Sequence, residues 1–369
     1  MNETNWQEIA DKIYLKTKAV AARNLHKIPY TSSGGVFDDW TEKDVSWWTN
    51  GFWAGQLWQL YGAYREPLFR TVAEEIEQKL DRALLSSAGM DHDSGFRFLL
   101  TAGASYRLTK SAASKNRLIL AANDLAGRFN IAGNFIRAWN DGGDGSMAGR
   151  AIIDCMMNLP LLYLASEELS DPRFYQIAVR HADMAATSFV REDGSVCHIV
   201  DFDPATGRRL HSVGGQGYGH GSAWTRGQAW ALYGFTLSYL HTKNPAYLHT
   251  AEKVASYFLS QVPASGLIPV DFRQPTEPHY EDSSAAAIAA CGLLELHKAT
   301  KKDVYRDGAL LLLTALTKRR CNFDEKVDHL LEKCTAAYHD REHEFPIIYG
   351  DYFYTEAVLK LTGKETFLW

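Results

Sequence analysis

Cysteine is scarce in this sequence: five residues (Cys155, Cys197, Cys291, Cys321, Cys334), odd in number, scattered, and without a Cys-x-x-Cys pair. That spacing builds neither a disulfide framework nor a zinc site. Long apolar runs are also missing, and the longest, such as Ala309 to Leu316, are too short to span a bilayer. Positive charge is not in excess. With a formal net charge of -5 there is no basic stripe for nucleic acid and no polybasic run for a membrane surface, so an anionic ligand must be held by local cations. The start, Met1-Asn2-Glu3-Thr4-Asn5-Trp6, is polar and acidic, which predicts no secretory leader. Together these absences predict a soluble cytoplasmic protein. A monomer or weak homo-oligomer is expected.

Strand-like alternation is nearly absent as well, and helical patterning fills the chain. Short joints recur: Glu66-Pro67-Leu68-Phe69, Asp171-Pro172-Arg173-Phe174, Asn244-Pro245-Ala246-Tyr247 and Lys302-Asp303-Val304-Tyr305, each with Ala four residues on. A polar residue and then Pro starts a helix, because Pro fits the first turn and the polar side chain caps free amides. An amphipathic helix follows each joint, clearest at Leu68, Val72, Ile76, Leu80 and Leu84. Before each comes a helix apolar nearly all round and rich in small residues, as at Gly51, Ala54 and Gly55 or Ala285 to Ala290. Such helices are surrounded by protein.

The pattern predicts about twelve helices, near 3–24, 47–63, 67–85, 95–108, 112–129, 150–168, 172–190, 222–242, 245–261, 283–299, 304–319 and 350–362. Inner and outer helices in alternation imply six helical hairpins closed into an all-α toroid, an (α/α)6 barrel, as a single domain over 1–369. The outer-to-inner connections (86–94, 130–149, 191–221, 262–282, 320–349) are long and fall at one end, where function is expected.

Asp154 lies in the apolar run Ala151-Ile152-Ile153-Asp154-Cys155-Met156-Met157, and Asp93 sits in His92-Asp93-Ser94-Gly95-Phe96. A carboxylate in such surroundings is either locked in a hydrogen-bonded network or kept for its shifted pKa, and two of them point to acid/base chemistry. Near them, at the same end, cluster Trp47, Trp48, Asn50, Asp91, His92, Phe96, Asn158, His198, Gln216, Trp224, Arg226, Trp230, Tyr349 and Asp351. The mixture suits a carbohydrate pocket: rings for the apolar sugar faces, Gln, Asn and His for hydroxyls, and a forked Arg for a carboxylate. Each also has a plainer role, Asp154 as a helix cap, Arg226 as the partner of an acid, the tryptophans as packing.

Three other motifs do not stand. His339-Asp340-Arg341-Glu342-His343 has inverted zinc-peptidase spacing, but Phe345-Pro346 follows and no helical face surrounds it. Gly214-Gly215-Gln216-Gly217-Tyr218-Gly219-His220-Gly221 lacks the strand and Lys of a nucleotide loop; its glycines are expected to let backbone approach a ligand. Asp141-Gly142-Gly143-Asp144-Gly145 lacks the spaced acids of a calcium loop and is expected to be a turn.

The His92-to-Phe96 segment, Ile153-Asp154-Cys155-Met156-Met157-Asn158-Leu159-Pro160, Gln216-Gly217-Tyr218 with Ser222-Ala223-Trp224-Thr225-Arg226-Gly227-Gln228-Ala229-Trp230, and Tyr349-Gly350-Asp351-Tyr352 together resemble glycoside hydrolase family 88, the unsaturated glucuronyl hydrolases. The resemblance implies an (α/α)6 barrel and removal of a terminal 4,5-unsaturated glucuronic acid from oligosaccharides left by polysaccharide lyases. It implies Asp154 as general acid/base, protonating the vinyl ether at C4 and activating the water that adds at C5. Asp93 would bind ring hydroxyls and help keep Asp154 in the needed protonation state, and no metal or organic cofactor is implied. Carried across by position, His198, Gln216, Arg226 and Trp230 would line the sugar site, with Trp47, His92, Phe96 and Tyr349 as further wall. Arg226 as carboxylate partner follows from its charge alone. Gly219-His220-Gly221 departs from the acidic residues expected in several relatives, which leaves linkage and sulfation preference open. Competing expectations are an unsaturated rhamnogalacturonyl hydrolase, against which the Asp93 motif argues, a conventional inverting glycosidase and a non-enzymatic helical scaffold.

Overall fold

The computed structural model describes residues 4–86, 89–141 and 143–369; Met1, Asn2 and Glu3 of the polar start and Gly142 of the glycine-rich turn lie outside them. After α1 (Trp6–Arg23) the chain runs through α2 (Phe52–Tyr64), α3 (Pro67–Lys79), α4 (Asp81–Leu84), α5 (Ser94–Phe98), α6 (Ala104–Thr109), α7 (Ala112–Gly127), α8 (Leu159–Leu169), α9 (Pro172–Ser188), α10 (Thr225–Thr242), α11 (Pro245–Gln261), α12 (Ser283–Thr300), α13 (Asp303–Arg319) and α14 (Ile348–Thr362).

Five joints use one device. A residue in the left-handed region (Arg65, Lys110, Ser170, Lys243, Lys301) ends the inner helix, and the next residue opens the outer one. Glu66, Ser111, Asp171 and Asn244 accept an amide N–H of the first turn with their side chains. The joint at Lys110-Ser111-Ala112 is a fifth copy beside the four of the sequence pattern.

Helices α2, α5 with α6, α8, α10, α12 and α14 form an inner ring in which each packs on the next and α14 returns to α2. The ring is the core. From Thr225 to Ser238 every residue of α10 is buried, whereas α9, in the outer layer, buries only Phe174, Ala178, His181, Ala182, Met184 and Ala185. The architecture is the (α/α)6 barrel. No described helix is long and apolar enough to cross a membrane.

The departures from the helix pattern are confined to a few places. A π-turn at Leu99–Gly103 splits the helix expected at 95–108 into α5 and α6, and the helix expected at 67–85 breaks at Leu80 between α3 and α4. The helix expected from 47 opens as a 3-10 turn at Trp48–Gly51. The largest correction falls at 150–168: Arg150–Ile152 is a strand, Ile153–Met157 a 3-10 turn, and the helix begins only at Leu159. A three-residue strand whose partner is some fifty residues away leaves no periodic signal in its own neighbourhood.

The other strands also belong to the long connections: β1 (Ser32–Ser33), β2 (Val36–Phe37), β3 (Phe129–Asn130), β4 (Phe135–Ile136), β5 (Arg150–Ile152), β6 (Ile199–Phe202) and β7 (Arg209–Val213). The last three make one antiparallel sheet, with Arg150 opposite Asp201, Ile152 opposite Ile199 and Ile199 opposite Val213. An Arg150–Asp201 ion pair at 2.8 Å fixes the β5–β6 register.

Candidate active site

The β5–β6 pairing ends where the unusual carboxylate begins. Ile152 pairs with Ile199, Ile153 then donates its N–H to the His198 carbonyl at 3.1 Å, and the chain turns so that Asp154 and His198 meet. His198 Nε2 lies 3.6 Å from Asp154 Oδ1. The other imidazole nitrogen, Nδ1, accepts the Gln216 N–H at 2.9 Å, so the ring carries its proton on Nε2, toward the acid. Gly215 makes that approach possible: its φ is +58°, and a Cβ there would sit 2.0 Å from His198 Nδ1. The glycine expected to admit a ligand therefore admits a histidine ring.

Asp93 sits just before α5, its N–H donated to Asp91 Oδ1 at 3.0 Å. Asn158 reaches across to it. The Asn158 Nδ2 donates to Asp93 Oδ1 at 3.0 Å and to the Asp154 carbonyl at 3.3 Å, while Asn158 Oδ1 accepts the Phe96 N–H at 2.8 Å. His92 Nε2 is 3.4 Å from Asp93 Oδ2. The Asp93 carboxylate and the backbone of the turn that carries Asp154 thus belong to one buried network.

These groups face a cavity of about 460 Å³. Of the residues singled out from sequence, Trp47, His92, Asp93, Asp154 and Gln216 line it, together with Trp48 and Asp91 from the wider cluster. Phe96, Trp230, Tyr349, Arg226 and His198 are not among the lining residues; they are buried against the wall from behind. There they form an aromatic layer: Phe96 lies 5.1 Å from Trp230, Tyr349 stacks on Trp48 at 5.1 Å, and the His198 ring is 4.2 Å from Trp224. Six lining residues escape the sequence reading: Asp44, Ser46, Gly89, Trp139, Asn140 and Ile152. Trp139 was findable, as a Trp within the long 130–149 connection; the small and acidic residues carry no such mark.

Arg226, expected from its charge to grip a ligand carboxylate, is engaged elsewhere. Its Nη1 binds Asp282 Oδ2 at 2.7 Å and the Thr335 carbonyl at 2.5 Å, Nη2 binds the Ala336 carbonyl, and only Nε lacks a partner. His339 and His343 each bond a backbone carbonyl, at Tyr218 and Tyr338. Asp141 accepts the amides of Gly143 and Met147, the turn that its composition predicts, with Gly142 itself outside the described residues.

Burial pushes the Asp154 carboxyl up to about 7, against the pull of the Arg226 charge and the nearby Trp230 indole N–H. Asp93 is also raised, by burial first and then by the charges of Asp91 and Asp154. The histidines move the other way, His92 to about 4 and His198 to about 3, both chiefly through burial. Near neutral pH the site holds neutral imidazoles beside a carboxyl poised between its two forms. Asp154 Oδ1, His198 Nε2, Trp230 Nε1 and Tyr349 OH are buried without a protein hydrogen bond.

The model of Glycosyl Hydrolase Family 88 matches residues 17–365. The chain is 37% identical, over 99% of its length and 98% of the relative's, to the unsaturated glucuronyl hydrolase of Bacillus sp. (strain GL1). It is 32% identical to the unsaturated chondroitin disaccharide hydrolase of Streptococcus pneumoniae (strain ATCC BAA-255 / R6), covering 88% of this chain and 84% of that one. A solved structure with dGlcA-Glc-Rha-Glc superposes with a TM-score of 0.90 at 33% identity, over 96% of each chain.

Proposed function

This chain belongs to Glycosyl Hydrolase Family 88, and from that premise we propose that it is an unsaturated glucuronyl hydrolase acting on lyase-generated oligosaccharides. It releases the terminal 4,5-unsaturated glucuronic acid from glycosaminoglycan or bacterial polysaccharide fragments. Asp154 gives its proton to C4 of the C4=C5 vinyl ether, water adds at C5, and the resulting carboxylate of Asp154 takes the proton that this water sheds. The hydrated sugar is a hemiketal, which opens and releases its partner sugar.

The observation that carries this is the state of Asp154: an acid at the cavity wall, held near 7, with an oxygen no protein group binds. Protonating carbon is slow, and a general acid works best when its pKa lies near the operating pH. Asp93 and the wall residues Trp47, His92 and Gln216 contact the sugar, with ring faces from Trp48 and Trp139. Phe96, Trp230, Tyr349, His198 and Arg226 support that surface and set its field. A single unit over 1–369 accords with one apolar core running from Ile9 to Trp369, and a cytoplasmic place of work with five free cysteines.

Turnover of an unsaturated disaccharide in isotopically labelled water tests the chemistry. Loss of the double-bond absorbance should accompany deuterium at C4 and labelled oxygen at C5; labelled oxygen at C1 would mean conventional glycoside hydrolysis and end the proposal. Asp154→Asn should fold, bind product and lose kcat by about 10³-fold, within the range general acid catalysis supplies.

A further inference from the structure

We propose that Asn158 is a positioning residue that ties the Asp93 carboxylate to the turn carrying Asp154 and sets how much negative charge Asp93 presents to that acid. The inference rests on the roles given to those acids above.

The geometry is specific. Asn158 is fully buried, and one amide joins both acid-bearing segments: its Nδ2 donates to Asp93 Oδ1 at 3.0 Å and to the Asp154 carbonyl at 3.3 Å. Its Oδ1 is held by the Phe96 N–H at 2.8 Å, which fixes the amide's orientation, since a flipped amide would set N–H against N–H. The same contact explains the glycine of the His92-to-Phe96 segment. A Cβ on Gly95 would sit 2.6 Å from Asn158 Cα and 2.7 Å from its Oδ1, so the two segments can close on each other only with glycine there.

An N–H donated to a carboxylate favours its ionised form. Asn158 thus opposes the burial, Asp91 and Asp154 influences that raise Asp93, on the same side as the Arg97 charge. His92 Nε2 faces Asp93 Oδ2, and the Cys155 thiol, which also feels the Arg128 charge, lies near it. Around Asp154 stand Arg226, Trp230 and His198. No protein donor closes on Asp154 Oδ1. With the donor on Asp93 and none on that oxygen, Asn158 favours the ionised form of Asp93 relative to that of Asp154, and the more negative charge Asp93 carries the more firmly Asp154 keeps its proton, through like-charge repulsion.

Removing the donor raises Asp93 further. Asp154 then faces a less negative neighbour and releases its own proton more easily. Asn158→Ala should therefore lower kcat tenfold or more and move the alkaline limb of the pH–rate profile about one unit toward acid, the scale of one hydrogen bond to a charge. Asn158→Asp has nearly the same shape and donates only when protonated. It should recover activity on the acid side alone, which a residue serving packing would not do. Carbon-13 carboxylate titration of Asp-labelled protein without substrate gives a readout independent of turnover: Asp93 should titrate higher in Asn158→Ala than in wild type. An unchanged profile in both variants together with an unchanged Asp93 titration overturns the assignment. If wild type fails to turn over unsaturated uronides, the function proposed above falls while the titration still judges Asn158.

Discussion

His198 Nε2 stands 3.6 Å from Asp154 Oδ1 while its Nδ1 accepts the backbone N–H of Gln216. The ring is anchored from behind and presents a proton to the acid from just beyond hydrogen-bond reach. Asp154 is oriented without being tied up, and its own proton remains available to a sugar.

Asp154, rather than either histidine, is the group expected to titrate in the working range. His198 is driven to about 3 and His92 to about 4, so neither changes charge between pH 5 and 8; Asp154, near 7, does. Activity should fall as pH rises through about 7, when Asp154 loses the proton it must give. His198→Asn should lower kcat and leave that limb in place. A limb that disappears with the imidazole would assign the titration to the histidine instead.

The same carboxyl sets stability against activity. Between the ordinary carboxyl value near 4 and about 7, the folded chain keeps the Asp154 proton that the unfolded chain has lost. Stability contributed by this group is therefore present at low pH and declines through that window. Asp154→Asn removes the dependence. The variant should match wild type in urea midpoint near pH 4 and exceed it in stability at pH 8 by up to about 4 kcal/mol, the width of that window at about 1.36 kcal/mol per pH unit. Asp351, pushed up to about 7 as well, affects both chains alike and cancels in the comparison. A difference of equal size at both pH values would refute this account.

The barrel was legible in the sequence because its period is local. Pro67, Pro172 and Pro245 each follow a capping residue, and the apolar faces between them repeat at helical spacing. The site was legible in its acids because a lone Asp within Ala151-to-Met157 stands out against its apolar neighbours. What stayed hidden depends on distant partners. The strand Arg150–Ile152 exists only through Ile199–Phe202, and it is this pairing that carries Asp154 to His198. Whether an aromatic lines the cavity or backs its wall was equally out of reach: Trp47 and Trp230 look alike in sequence, and only packing sets one on the surface and the other behind it.

Arg226 has two duties that substitution should separate. Its guanidinium joins α10 to the start of α12 through Asp282 and to the 320–347 connection through Thr335 and Ala336, and lies 4.5 Å from the Trp224 ring and 5.2 Å from that of Tyr349. Asp282 in turn caps α12, accepting the Ser284 N–H at 3.1 Å, and is fully buried. Arg226→Met leaves that carboxylate unpaired and should cost about 3–5 kcal/mol in urea unfolding. Loss of the cation also removes a pull on Asp154, so the alkaline limb should move to higher pH. Arg226→Lys keeps the charge but not the fork that serves three acceptors. It should be destabilised yet show the wild-type limb, and a limb displaced as far as in Arg226→Met would mean that geometry rather than charge sets the acidity of Asp154.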